Sequence, residues 1–410
     1  MIPVPEPGLT PEDMVRRASA MVPTLRERQM ECERLGRIPQ VTNDEFVSAG
    51  FYRILQPRRF GGYEFGMPTF ARVMMEVSRG CASSGWVLAL TGGHAIMLSA
   101  FFSEEAQIDV YGPDGEFRGP SRTPPYVVAQ PVDGGFILNG EWNYVSGCDI
   151  ATHVIGGINV KSTTGDEPRV GIVDRKDFTI VDDWDTIGMR GTGSRRVVVR
   201  DAYIPEYRTI PPMRDAFGSR NAPGRRVHQN PVYVAGRLVS VLFEEMAAVA
   251  VGLARGALDV YEHELCSSRL QMPPYALRSE TPDYQRHFGE AWATIQVAEA
   301  TVMHIAEKYM EFARQDVEEE IPFSDERDLE LQLLEQHATR LAGDAVDLMF
   351  RTAGTHVAQS NSMLQRYFRD MAVIKTHIAA QTDRGAQSFG REHFSQTQTQ
   401  TQTQTGLERA

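Results

Sequence analysis

The sequence predicts an α+β protein in which helical and β-rich regions follow one another along the chain. Apolar residues recur at spacings of three and four in the first and last thirds, whereas the middle third holds short β-branched runs separated by turn signals. The chain has 410 residues, and a single core stops growing at roughly 250–300 residues. We therefore expect three domains, at residues 1–112, 113–226 and 227–394, followed by a disordered tail at residues 395–410.

The first domain is predicted to be helical. Thr10 and Pro11, followed by two acidic residues, form a helix start signal with a capping hydroxyl and proline at the first helical position. Further along, one apolar helix face is predicted from residues spaced by three and four. These residues are Trp86, Leu90, His94, Met97 and Phe101.

The second domain is predicted to be a mostly antiparallel sheet. Short runs rich in β-branched and aromatic residues occupy residues 126–128, 135–138, 153–155 and 197–199. The pairs Asp133-Gly134 and Asn139-Gly140 predict tight turns. Residues 191–196, GTGSRR, lack the third glycine of a dinucleotide fingerprint and precede a strand, so we expect a turn there.

The third domain is predicted to be a four-helix bundle, because four long amphipathic stretches follow with short connections. The stretches are residues 238–260, 288–309, 331–348 and 364–378, with a polar, proline-containing loop at 271–283 between the first two. Residues 396–405 alternate Gln and Thr, and such a polar tract is predicted to be disordered because it buries too little apolar surface.

Composition limits the partners. The net charge is −12, with 42 basic against 54 acidic residues, and this balance argues against nucleic acid or an anionic membrane as the main partner. The four cysteines are scattered and form no CxxC pair, which indicates reduced thiols in a cytoplasmic protein. We expect no signal peptide, no metal site and no apolar run approaching the ~20 residues of a membrane span.

Three polar residues are candidates for a site, each with an ordinary structural alternative. His94 and His377 are able to titrate near neutral pH, although a histidine on an apolar helix face is usually a core residue. His377 lies two turns after Asp370 on the predicted last helix, so a carboxylate could influence its charge, but a structural ion-pair network is equally ordinary. Ser146 follows a predicted strand, where a turn serine is the plain interpretation.

Four strings in order resemble motifs of the acyl-CoA dehydrogenase superfamily. They are PRRFGGYE at residues 57–64, GEWNYVSG at 140–147, GMRGTGS at 188–194 and QRYFRD at 365–370. The order of a helical domain, a β-domain and a four-helix bundle is also that of this superfamily. The resemblance covers about residues 12–394 and implies the acyl-CoA dehydrogenase-like fold.

Within that superfamily the chain resembles the flavin-dependent monooxygenases that receive reduced flavin from a separate reductase. The string CASSGW at residues 81–86 with His94 eight residues later, and Arg369-Asp370 followed by His377, match their pattern. The dehydrogenases commonly carry a Glu-Gly-Thr motif just after the RD segment, and it is missing here. Their Thr-Glu-Pro flavin segment is also missing and is replaced by GPSRTP at residues 119–124.

The resemblance implies an oxygenase component that takes reduced FAD or FMN from a separate NAD(P)H-dependent reductase. The flavin would bind between the β-domain and the bundle and react with O2 to a flavin C4a-hydroperoxide, which hydroxylates a phenolic substrate. A homotetramer is expected, because a neighbouring subunit helps to hold the flavin in this superfamily.

The resemblance also implies roles for individual residues. His377 is favoured over His94 as the base that takes the substrate proton, with Asp370 as its partner. Ser146 is placed near flavin N5. The other residues assigned to flavin are Trp142, Ser121, Thr123 and Arg369. A dry pocket is expected to be lined by Phe51, Trp86, Tyr126 and Tyr144.

Two other functions stay open at this point. The first is an acyl-CoA dehydrogenase whose catalytic glutamate is displaced to the first bundle helix, where Glu244 and Glu245 lie. The second is a non-catalytic flavin-binding protein on the same fold, because fold alone does not determine function. The sequence also does not determine whether the flavin is FAD or FMN, what the substrate is, or whether a carbon, nitrogen or sulfur atom is oxidised.

Overall fold

The computed structural model describes residues 1–163, 165–212, 222–234 and 237–407. Its N-terminal domain is helical. The first helix begins where the sequence predicts, with the Thr10 hydroxyl accepting from the Asp13 backbone N–H and the Asp13 carboxylate capping in return. The helices are α1 (Pro11–Glu27), α2 (Gln29–Leu35), α3 (Gln40–Ala49), α4 (Gly66–Gly80), α5 (Ala82–Gly93), α6 (Ala95–Phe101) and α7 (Glu104–Tyr111).

The single helix predicted through His94 is two helices, because α5 ends at Gly93 and α6 begins at Ala95. Glycine is a poor helix former, and Gly92-Gly93 directly precede the break. Contrary to the expectation of no membrane-length apolar run, the 20-residue stretch Ala82–Phe101 is apolar enough to span a membrane by length and composition alone. Its most apolar window is 94% buried inside the fold, which is how a core helix of a globular domain is placed.

The central domain is a seven-stranded sheet in the order β5-β6-β2-β1-β3-β4-β7. Its neighbouring strands are antiparallel except β1 and β3, which are parallel, so the prediction of a mostly antiparallel sheet is confirmed. The strands are β1 (Ser121–Val132), β2 (Gly135–Val145), β3 (His153–Val160), β4 (Glu167–Asp174), β5 (Phe178–Val181), β6 (Arg195–Pro205) and β7 (Thr209–Ile210).

Only one of the two predicted tight turns is present. Asp133-Gly134 connects β1 to β2, whereas Asn139-Gly140 lies inside β2. The pairing of β2 with β6 shifts register between Leu138 and Gly140, and Gly140 has a φ of 143°. The glycine therefore permits a bulge within a strand and does not end it.

The C-terminal domain is helical, with the long helices that the apolar stripes predict. Its helices are α8 (Gly224–Val227), α9 (Pro231–Val234), α10 (Val239–Ser267), α11 (Pro282–Glu318), α12 (Asp325–Thr352), α13 (Met363–Ile374) and α14 (Thr382–Leu407). The connection between α10 and α11 contains the predicted loop, together with a short 3-10 turn at Arg278–Glu280.

The end of this domain differs from the sequence prediction in two ways. The predicted fourth bundle helix stops at Ile374, so His377 lies outside it, at the start of a 3-10 turn formed by Ile378–Ala380. The backbone of the Gln/Thr tract, predicted to be disordered, continues α14 to Leu407. A helix already nucleated at Thr382 propagates at low cost, because each further residue adds one backbone hydrogen bond.

A loop of the β-domain is clamped against α13. A Cβ placed on Gly188 would lie 2.1 Å from the backbone carbonyl oxygen of Arg369, so only glycine fits. Next to it, the Met189 backbone N–H donates to Asp370 Oδ1 at 2.5 Å. The guanidinium of Arg369 donates to Glu33 on α2 at 2.6 Å and to the backbone carbonyl of Ile187. These contacts join all three domains at one point.

Candidate active site

Ser146 is positioned by an irregular strand end. The pairing of β2 with β6 shifts register between Trp142 and Val145, and Tyr144 adopts a φ of 62°. Non-glycine residues with positive φ are uncommon and occur mainly where surrounding contacts hold them. Gly147 follows with a φ of 74°. The bulge turns the Ser146 hydroxyl toward α5, where the indole Nε1–H of Trp86 donates to Ser146 Oγ at 3.1 Å.

A chain of hydroxyl groups continues behind Ser146. Ser146 Oγ lies 2.7 Å from Ser194 Oγ, which lies 2.7 Å from Thr192 Oγ1. Thr192 Oγ1 donates to the backbone carbonyl of Met189 at 2.9 Å. All four residues are buried, with exposures of 9% at Trp86, 8% at Ser146, 6% at Ser194 and 2% at Thr192. We call Ser146, Ser194 and Thr192 the hydroxyl relay.

His377 also contacts Trp86. The two rings meet edge to face, with centroids 5.6 Å apart. His377 Nδ1 accepts the backbone N–H of Ala379 at 3.2 Å, so in the neutral ring the proton is on Nε2. Burial, followed by the positive charge of Arg122, lowers the pKa of His377 to about 4. At neutral pH this histidine is therefore uncharged and presents a hydrogen-bond donor.

Asp370 is not the partner of His377, and the predicted Asp–His pair is wrong. The helical spacing that would align them ends at Ile374, and the Asp370 carboxyl instead accepts from the backbone of Met189. Burial raises the pKa of Asp370 to about 7, against the opposing effect of that hydrogen bond. Asp370 thus anchors the loop that carries Thr192 and Ser194, two members of the hydroxyl relay.

His94 is buried at the junction of α5 and α6, with 1% of its surface exposed. Its Nδ1 lies 2.8 Å from the backbone carbonyl of Gly119, so it donates there. Its Nε2 lies 3.6 Å from Glu245 Oε2 on α10, and neither atom has a hydrogen-bond partner among the described residues. Burial raises the pKa of Glu245, and the adjacent His94 opposes that shift. The buried imidazole of His94 and the buried carboxyl of Glu245 therefore face each other inside the core.

Two family models match this chain. Residues 12–114 match the acyl-CoA dehydrogenase N-terminal domain, and residues 245–382 match the acyl-CoA dehydrogenase C-terminal domain. The oxygenase subunit HsaA, a flavin-dependent monooxygenase of Rhodococcus jostii, is 33% identical over 93% of this chain and 98% of its own. The chain belongs to the acyl-CoA dehydrogenase family, among its flavin-dependent monooxygenases.

Two further comparisons agree with this membership. The oxygenase component of p-hydroxyphenylacetate 3-hydroxylase from Acinetobacter baumannii is 27% identical over 94% of this chain and 90% of its own. The crystal structure of 3-HSA hydroxylase from Rhodococcus sp. RHA1 superposes with a TM-score of 0.84 at 31% identity, covering 93% of this chain and 97% of that one. The acyl-CoA dehydrogenase-like fold predicted from the sequence is therefore confirmed.

The other residues expected to bind flavin in this monooxygenase have three different surroundings. Ser121 and Thr123 are half-buried at the beginning of β1, beside Arg122, whose charge acts on His377. Trp142 is fully buried in the core of the β-domain, and its indole N–H donates to the Gly157 carbonyl at 2.8 Å. This placement makes Trp142 a packing residue, contrary to its predicted role.

Arg369 is occupied by contacts within the chain. Besides Glu33 and Ile187, its guanidinium donates to the Gln365 side chain at 2.6 Å. A role for Arg369 in flavin binding stays a prediction.

The aromatic pocket expected from the sequence is only partly assembled. Trp86 is at the site, but Phe51 packs against Phe46 inside the N-terminal core, with ring centroids 5.7 Å apart. Tyr126 and Tyr144 are 57% and 66% exposed, so within one chain they do not line a dry pocket. Tyr144 lies at the surface because it occupies the bulge that turns Ser146 inward.

The two glutamates on α10 have different surroundings. Glu245 faces His94, whereas Glu244 lies in the helical domain near Glu335 of α12, whose pKa is raised by burial and then by the Glu244 carboxyl. Sequence reasoning proposed these glutamates only as displaced dehydrogenase bases. It missed Ser194, Thr192 and Arg122, although Ser194 and Thr192 lie within the GMRGTGS string that carries the family resemblance.

Proposed function

We propose that this chain is the oxygenase component of a two-component monooxygenase that hydroxylates a phenolic aromatic compound. It would take reduced FAD or FMN from a separate NAD(P)H-dependent reductase and use O2 as the second substrate. The observation that carries the proposal is the placement of Ser146, whose hydroxyl is 8% exposed and lies between Trp86 and Ser194. The chain's relatives are named oxygenase components.

The residues present fit a flavin. Ser146 would hold the flavin at N5, with Ser121 and Thr123 as further hydroxyl contacts from β1. When bound, the reduced flavin supplies the two electrons with which O2 delivers one oxygen atom to the substrate and one to water. Trp86 would shield this chemistry from solvent, and shielding favours product over peroxide release.

His377 would act on the substrate through its Nε2–H. With a pKa lowered to about 4, the ring is neutral at the pH of the cytoplasm and donates a hydrogen bond to a phenol oxygen. This role replaces that of a general base assisted by Asp370. His94 is less suited to contact a substrate, because both of its nitrogens face groups inside the core, Gly119 and Glu245.

The dehydrogenase alternative is disfavoured by the surroundings of the two candidate bases. An α-proton base must reach the substrate carbon, but Glu245 is fully buried against His94 and Glu244 is 1% exposed beside Glu335. The family relatives reported above are monooxygenases as well. A cytoplasmic homotetramer is part of the proposal, and a neighbouring subunit would cover the exposed Tyr126 and Tyr144 rings.

The purified chain should not oxidise NADH alone. With a flavin reductase, NADH, O2 and either FAD or FMN, it should convert a monohydric phenol to a catechol, detected by mass spectrometry with one atom from ¹⁸O2. Robust NADH oxidation without a reductase would contradict the two-component assignment. Bleaching of a bound oxidised flavin by an acyl-CoA would instead support the dehydrogenase.

A further inference from the structure

The hydroxyl relay has a single arrangement that gives every contact a proton. It contains four short contacts, from Trp86 Nε1 to Ser146, on to Ser194, on to Thr192 and finally to the Met189 carbonyl. The indole N–H is only a donor, and the carbonyl is only an acceptor. Thr192 must therefore give its own proton to the carbonyl, and its oxygen then accepts from Ser194.

The same reasoning fixes the direction at Ser146. Because the Ser194 proton goes to Thr192, Ser194 Oγ accepts the proton of Ser146 at 2.7 Å. Ser146 Oγ already accepts the Trp86 N–H, and a hydroxyl oxygen has two acceptor lone pairs. Ser146 therefore has no proton left to donate and one lone pair left to accept with. Burying a donor or acceptor without a partner is costly, and this cost holds the arrangement in place.

We propose that Ser194 and Thr192 are positioning residues that make the site select reduced flavin over oxidised flavin. Reduced flavin carries a hydrogen on N5, which is a donor, whereas N5 of oxidised flavin is an acceptor. An acceptor at Ser146 satisfies the first and opposes the second. The inference rests on the proposed function, since it takes Ser146 as the residue that faces N5, and it adds the source of redox selectivity.

The relay is held by the loop described above. Met189, whose carbonyl ends the relay, has a φ of 52° and is fixed through its N–H to Asp370. The same carbonyl also accepts the indole N–H of Trp184 at 3.2 Å. The Met189 carbonyl, which reaches Ser146 only through Thr192 and Ser194, thus determines that the Ser146 hydroxyl donates to Ser194.

Two substitutions release the Ser146 proton by different routes. Ser194→Ala removes the acceptor of that proton directly. Thr192→Val removes the acceptor of the Ser194 proton, so Ser194 turns its hydroxyl toward Ser146 and frees the Ser146 hydroxyl in turn. In both variants Ser146 becomes able to donate to oxidised flavin. Ser99→Ala is a matched control, because Ser99 is a buried serine that bonds Tyr111 at 2.9 Å, away from the relay.

The test is anaerobic binding of oxidised and dithionite-reduced FMN and FAD, read as the ratio of the dissociation constants, oxidised over reduced. We expect a ratio above 10 for the wild type and for Ser99→Ala. It should fall about five- to tenfold in Ser194→Ala and Thr192→Val, as expected for one net hydrogen bond, mainly through tighter binding of oxidised flavin. Circular dichroism checks that each variant is folded.

The outcomes separate the relay from the proposed function. If the wild type shows the expected ratio of dissociation constants and both relay variants leave it unchanged, the relay proposal is overturned. The oxygenase assignment then still stands. A wild-type ratio of one or less also overturns the relay proposal. If the wild type binds neither flavin in either redox state, the proposed function itself fails, and the relay proposal fails with it.

Discussion

The Nδ1 atom of His377 accepts the backbone N–H of Ala379, and this contact decides what the histidine offers a substrate. With Nδ1 occupied, the neutral ring carries its proton on Nε2 and donates. The pKa of about 4 keeps the ring neutral at pH 6 and above. The contact itself belongs to a capped 3-10 turn, a local motif that helical periodicity does not reveal.

His377→Ala should therefore slow hydroxylation by roughly 5- to 150-fold, as expected for the loss of one hydrogen bond worth about 1–3 kcal/mol. His377→Gln should recover part of the rate, because its amide N–H also donates. Single-turnover product formation between pH 6 and pH 9 is the measurement. A loss in His377→Ala that disappears as pH rises and the phenol ionises would show that the histidine is a base instead.

Asp370→Asn should change the pH dependence of stability. Burial raises the folded pKa of Asp370 from 3.8 to about 7, so the wild type gains stability at low pH and loses it as pH rises toward 7. Asparagine does not titrate. Relative to the wild type, the free energy of unfolding of the variant should rise by up to about 1.4 kcal/mol per pH unit between pH 5 and pH 7, and then level off.

Urea unfolding of both proteins across that range is the measurement. Asp344→Asn, at an exposed position on α12, is the matched control and should run parallel to the wild type. A constant difference between Asp370→Asn and the wild type from pH 5 to pH 8 would show that the buried carboxyl has an ordinary pKa.

Glu245 should tolerate an amide but not truncation. Glu245→Gln keeps the volume and offers an N–H to His94 Nε2, so we expect less than about 1 kcal/mol of destabilisation. Glu245→Ala should cost about 2–4 kcal/mol, because it leaves a cavity and an unpaired buried imidazole. Unfolding at pH 7 distinguishes them. Equal losses in the two variants would contradict the close pairing of His94 with Glu245.

Arg122→Gln should raise the pKa of His377. The positive charge of Arg122 is the second cause of the lowered pKa, after burial, so its removal should shift the pKa upward without restoring the ordinary 6.5. NMR titration of ¹³C-labelled histidine follows the ring directly. Arg16→Gln, at an exposed arginine on α1, is the control and should leave the His377 titration unchanged. If the pKa of His377 is unchanged in Arg122→Gln, the Arg122 guanidinium is too far from the ring to act on it.

The sequence predicts the sheet and the long helices well because their signals are local. The Thr10 cap, the Asp133-Gly134 turn and the apolar stripe beginning at Leu238 each depend on residues close together in the chain. The site is less predictable. His377 and Asp370 share a helix face only if the helix continues. Apolar periodicity does not encode its end at Ile374 or the capped 3-10 turn that follows.

The hydroxyl relay is not predictable from the sequence, for a similar reason. Ser146 and Ser194 are 48 residues apart, and they meet because β2 and β6 are neighbours in the sheet. The approach of Glu245 to His94 likewise needs α10 packed against the junction of α5 and α6. Contacts of this kind follow from topology, so single-sequence reasoning reaches the residue types but not the pairs.

The clamp at Gly188 limits how the domains are able to move. A hinge between the β-domain and the helical domain would have to separate Gly188 from α13, break the Met189–Asp370 bond and release Arg369 in one step. The junction therefore resists rotation of one domain against another. The three domains are therefore expected to keep their relative positions for as long as these contacts hold.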